Sequence, residues 1–148
     1  MNSWDRQKII EKVRSAADEL GASNPQQQKQ LIFSCHHASE REVFFGLFSF
    51  FYDSSLQQNQ FERQQLAGTI LLSVAPKSPL ALDASVYAAA QVWDLSIEEL
   101  PWYWCKIYGK SEVVEFLTNL ISSCTDAELK RSLETMLYWS RGYEQSDT

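Results

Sequence analysis

Residues 41–53 read REVFFGLFSFFYD and hold five of the chain's eight phenylalanines. Whether this stretch is strand or helix decides the fold. Its composition suits a strand, because Phe and Val favour pleated sheet. Three features favour a helix. Ser39 followed by Glu42 has capping-box spacing. Val43, Leu47, Phe50 and Phe51 recur at helical intervals, and no partner strand is evident elsewhere. On that helix, spanning Glu40 to Tyr52, apolar groups cover most of the circumference, which marks a central helix. Only Gly46 and Ser49 share a small-residue side, where a neighbouring helix can approach closely.

Outward toward the N-terminus, residues 3–20 have the cleanest amphipathic pattern. Ile9, Ile10, Val13, Ala16, Ala17 and Leu20 form one face, and Lys8, Glu11, Lys12, Arg14, Asp18 and Glu19 the other. Gly21 stops this helix. Asn24-Pro25 pairs a cap with a first-turn proline and starts a second helix running to about His37.

Outward toward the C-terminus, Asn59-Gln60-Phe61-Glu62 repeats the capping spacing before a helix to about Val74, with Leu66, Ala67, Ile70, Leu71 and Val74 as its stripe. The stretch APKSP at 75–79 breaks the chain, and Ser78-Pro79 restarts it into LALDASVYAAAQVWDL, residues 80–95. Ser96 and Glu99 form a third box, leading into LPWYWCKIYG (100–109). Residues 111–122 carry Val113, Val114, Phe116, Leu117, Leu120 and Ile121 on one side. Thr125 with Glu128 forms a fourth box, before a last helix that carries Leu129, Leu133, Met136 and Leu137 and stops near Gly142. The expectation is a single all-α domain over residues 1–142, with a frayed tail at 143–148. About eight antiparallel helices build it, as stacked helix pairs (39–75, 78–108, 110–142) or as an irregular bundle.

The totals narrow the function. The chain of 148 residues has 45% hydrophobic and 22% charged residues, ordinary for one globular domain. The formal charge is −6, and the imbalance lies almost wholly in the C-terminal half. This argues against phosphate-dependent nucleic-acid binding, which needs a basic face, and favours a basic partner. Cys35, Cys105 and Cys124 are too few and too scattered for a disulfide framework or a zinc pattern. The charged N-terminus lacks a signal peptide. No apolar run approaches the roughly 20 residues that cross a bilayer. These features point to the cytoplasm, with no membrane and no cofactor.

On a helical wheel of residues 100–109, Leu100, Tyr103, Trp104, Ile107 and Tyr108 share one face and read as core. Trp102 projects on the far side beside Lys106, either packed on a neighbouring helix or partly exposed. Asp94, Glu98 and Glu99 gather with Trp93 and Trp102 at one helix corner, and Glu112 and Glu115 open the following helix. Carboxylates at helix starts offset the helix dipole. The same eight residues (Trp93, Asp94, Glu98, Glu99, Trp102, Lys106, Glu112 and Glu115) could also form an acidic, aromatic patch that docks a basic protein, because Trp is enriched at binding hot spots.

Other chemistry is sparse. His36, His37 and Glu40 are the weak metal candidates, but Ser39 as a cap puts a helix break before Glu40, and the chain has no further histidine. No nucleophile elbow, phosphate loop or dinucleotide fingerprint is present, so catalysis is not expected. The reading is a non-catalytic protein–protein interaction protein, an inhibitor of the immunity or antitoxin type or an adaptor. The alternatives are a helical small-molecule or metal binder, or a structural protein that self-assembles through the phenylalanine-rich helix.

Overall fold

A computed structural model describes residues 3–144. Among them are eight α-helices and no strand: α1 (Arg6–Leu20), α2 (Pro25–His36), α3 (Glu40–Phe48), α4 (Gln60–Val74), α5 (Leu82–Ala89), α6 (Glu99–Tyr108), α7 (Lys110–Ser123) and α8 (Ala127–Arg141). The helices pack as compact pairs, as expected from the sequence. The hub is α4, which packs against α1, α2, α3 and α6; α7 and α8 form a hairpin that leans on α6.

The phenylalanine-rich stretch is helical. It runs as α3 and then tightens into a 3-10 turn, Ser49–Phe51, instead of continuing as α-helix to Tyr52. Ser39 caps it by accepting from the Glu42 backbone N–H. Phe44, Leu47, Phe48, Phe50 and Phe51 have no exposed surface. Phe45, half-buried, lies beneath the guanidinium groups of Arg6 and Arg41, 4.6 and 5.1 Å from its ring centroid. Most of the rings of this helix are thus spent on the core of a single copy of the chain. Gly46 is the close-approach point. A Cβ there would stand 2.8 Å from Ile9 Cγ2, so α1 is seated directly on the glycine.

Two ion pairs hold the N-terminal half. The Arg6 guanidinium and its backbone N–H all donate to the Glu42 carboxylate, the shortest at 2.7 Å, joining the starts of α1 and α3. These bonds hold the Glu42 carboxyl down at about 2. Arg63 on α4, only 9% exposed, makes a two-pronged bond to Asp18 on α1 and also donates to the Leu56 carbonyl. The Arg63 bonds hold Asp18 below the usual carboxylate range.

Several boundaries differ from the sequence reading. The first helix begins at Arg6 because Asp5 caps it, accepting from Lys8 N–H. Asn59 precedes α4 in a left-handed conformation and does not cap it; its side-chain amide donates to Asp18 instead. The segment 80–95 is helical only over Leu82–Ala89 and then turns. Ser96 does not cap α6: its N–H and hydroxyl both donate to Asp94 within a turn. Asp126, not Thr125, caps α8, accepting from Leu129 N–H. Tyr143 is not frayed. It is buried, its ring lies 6.3 Å from that of Trp102, and its carbonyl accepts from Lys110 Nζ. The remainder of the expected frayed tail, residues 145–148, lies outside the described residues, as do residues 1–2.

Candidate docking surface

The eight residues proposed from sequence do not form one patch. Trp93 leaves the surface altogether: it is 4% exposed, and its indole N–H donates to the Ile97 carbonyl at 2.9 Å. Asp94 spends its carboxylate on the turn that contains Ser96. Its backbone N–H donates to Gln64, a fully buried α4 side chain. The Gln64 amide nitrogen also donates to the carbonyls of Phe50 and Val92 and to the side chain of Gln57. One glutamine thus pins both irregular loops, 50–57 and 92–94, to the hub helix, and so positions the entry to α6.

Glu98 and Glu99 are half-buried at that entry. Burial, with Glu99 beside it, pushes the Glu98 carboxyl up. Glu99 leans on α4: a Cβ at Gly68 would stand 3.1 Å from the Glu99 Cβ. Leu100, Tyr103 and Trp104 are fully buried, as read from the wheel; Ile107 and Tyr108 are half-buried. The Tyr103 hydroxyl donates to the Pro76 carbonyl at 2.6 Å, and burial raises its pKa.

Trp102 takes the packed alternative in part. Its indole N–H donates to the Trp139 carbonyl at 2.9 Å, and the Trp139 indole donates in turn to the Leu95 carbonyl at 2.8 Å. The indole remains half-exposed and lines a groove of about 630 Å³ with Leu137, Tyr138 and Trp139 of α8. Lys106 is exposed, its ammonium 3.5 Å from the Leu72 carbonyl near the end of α4, where a cation offsets the helix dipole.

Glu112 and Glu115 lie elsewhere. They are exposed on α7 and, with Leu82 and Asp83 of α5 and Phe116 and Asn119 of α7, line a second groove of about 460 Å³. Three carboxylates and two half-buried apolar side chains face this groove, and no cation lines it. At the far end of α5, Ala90 and Gln91 share another concavity with Asp126 and Glu128. Residues 78–129 hold eight carboxylates against Lys106 and Lys110, a balance of −6 that equals the formal charge of the whole chain. The acidic surface is therefore built by α5, α7 and the start of α8. Sequence reasoning missed Asp83, Asp126 and Glu128; the absence of any other base between positions 78 and 129 was the signal that could have found them.

The weak metal candidates do not converge. The exposed His37 ring packs on Phe33, centroids 4.5 Å apart, and its Nδ1 lies 2.8 Å from the Phe33 carbonyl. Glu40 accepts from the Lys77 backbone N–H, and His36 is exposed at the end of α2. Among the described residues, no group of three or more His, Cys, Asp or Glu side chains is placed to hold a metal. Burial raises the Cys35 thiol to about 12 and also raises that of Cys105, which disfavours their thiolates. Among the described residues, no helix is long and apolar enough to cross a membrane.

No protein-family model matches the sequence, and no curated protein or solved structure matches the chain.

Proposed function

We propose that this protein acts by binding another protein, a basic one, without catalysis of its own, and that the docking surface is the groove between α5 and α7. It would serve as an inhibitor of the immunity or antitoxin type or as an adaptor, in the cytoplasm. One observation carries the reading. Asp83, Glu112 and Glu115 share the lining of one concavity with Leu82 and Phe116, with no cation in that lining, inside a segment that holds the chain's entire net charge. Apolar side chains set among like charges offer both contact area and steering toward an oppositely charged partner.

The experiment is selection of binders from a random-peptide library on the immobilised protein. Enriched peptides should be rich in Lys or Arg. Their affinity should fall at least tenfold with added salt and in the Asp83→Lys/Glu112→Lys/Glu115→Lys variant. A selected set without basic enrichment, or binding unchanged in that variant while its fold is intact, removes the reading.

A further inference from the structure

The groove beside Trp102 belongs to a different face, and its rim carries a charge pattern of its own. The exposed side of α8 presents Arg131, Glu134, Tyr138 and Arg141 within an arc of about 80° at 100° per residue. Glu144, also exposed, follows the helix end. Along the chain these charges alternate as plus, minus, ring, plus, minus. Tyr138 is the most exposed large apolar side chain of the described residues, at 69%. Among those residues neither Glu134 nor Arg141 has an ionic partner.

We infer that this face is a self-complementary interface, and that its occupant is a second copy of the chain with its α8 laid antiparallel across the first. In a two-fold arrangement whose axis passes between Leu137 and Tyr138, Glu134 of each copy faces Arg141 of the other. The second copy's Tyr138 then falls over Leu137 and into the groove walled by Trp102 and Trp139. A two-fold contact must present the same patch from both sides, and this sequence of charges satisfies that requirement in the antiparallel sense alone. A parallel pairing would set Glu134 against Glu134 and Arg141 against Arg141. Exposed ion pairs add little affinity, so the rings supply the attraction and the charges fix the register.

The test is sedimentation equilibrium on the whole chain over a wide concentration range. The wild-type mass should rise from 17.0 kDa toward twice that value. Glu134→Arg alone and Arg141→Glu alone should each hold the mass at the monomer value. The double swap Glu134→Arg/Arg141→Glu rebuilds both pairs in reversed order and should restore the rise, with circular dichroism confirming that each variant is folded. A wild-type protein that stays monomeric throughout, single reversals that still self-associate, or a swap that fails to restore association each overturns the inference. None of these outcomes bears on the α5–α7 groove, because the two surfaces share no lining residue.

Discussion

Replacing Gly46 by alanine sets two known effects against each other, and the structure says which wins. In a helix interior, alanine is favoured over glycine by about 0.8–1.0 kcal/mol. A Cβ at position 46 would, however, stand 2.8 Å from Ile9 Cγ2, 2.9 Å from Ile9 Cβ and 3.3 Å from the Arg6 carbonyl oxygen. Carbon atoms pack best at about 3.5–4.0 Å, so α1 must retreat by roughly 1 Å. Ile9 cannot swing aside, because a β-branched side chain on a helix has essentially one χ1 rotamer. Overpacking of this kind costs about 1–3 kcal/mol, and rigid neighbours on both sides put Gly46 at the upper end. The net loss should be about 1–2 kcal/mol, read as a lower urea midpoint with unchanged slope and a melting temperature lower by about 2–8 °C for a domain of this size. A double-mutant cycle isolates the cause. Ile9→Ala alone should cost about 2–5 kcal/mol, yet Gly46→Ala added to it should cost much less than in the wild type, a coupling of about 1 kcal/mol or more. If Gly46→Ala stabilises the wild-type protein, or if the two changes add, then α1 does not rest on Gly46 and the packing argument for α3 is wrong.

Other residues make further tests. Gln64→Leu keeps the volume but strands the Asp94 N–H, while the Phe50 and Val92 carbonyls keep the amides of Gln57 and Gln60; chemical denaturation should show a loss of about 1–3 kcal/mol, with faster hydrogen exchange across residues 92–97. Asp18→Asn leaves the Arg63 guanidinium, 9% exposed, without its anion; because Asp18 itself is 37% exposed, the loss should fall below the usual 3–5 kcal/mol for a buried pair, at about 2. Glu42, held at about 2 when folded against about 4.3 when unfolded, contributes stability that is complete above the unfolded value and fades as pH falls between the two; the deficit of Glu42→Gln in pH-dependent denaturation should shrink over that window. Glu98 has the opposite sign, since burial raises its carboxyl. Its charge opposes folding as pH rises, so Glu98→Gln should be more stable than wild type at neutral pH and indistinguishable from it in acid.

The helices were legible because their information is local and repeated: a stripe recurs several times per helix, and one aberrant residue does not erase it. The capping boxes were less so, because each rests on two side chains that have other uses. Of the four spacings, only that at Ser39 yields a side-chain cap. Its partner Glu42 does not close the box but reaches α1 and accepts the Arg6 N–H. Glu62 does likewise, accepting the Ala22 N–H at 2.6 Å. Asp94 outcompetes Ser96 because a carboxylate two residues upstream already accepts its N–H and hydroxyl. Glu42 and Glu62 thus tie their helices to distant parts of the chain, a role that spacing within a single helix cannot reveal.

The same distinction governs the candidate site. Trp93 and Trp102 are nine residues apart and were grouped for that reason, yet one is sealed beneath the Ile97 carbonyl and the other shares a groove wall with α8. Asp83 and Glu112 are 29 positions apart, and only the tertiary fold brings them to the lining of one groove. What the sequence does hold about that face is a deficit: between Ser78 and Leu129 the only bases are Lys106 and Lys110, while the residues on either side of that segment balance to zero. Lys106 is drawn to the Leu72 carbonyl and Lys110 to that of Tyr143. Both cations of the segment are thus drawn to backbone carbonyls near the ends of α4 and α8, and the carboxylates along α5 and α7 keep a field with no counter-charge in the groove they line. That field, more than any single ring, distinguishes this face from the rest of the molecule, and it is the reason a basic partner is sought there.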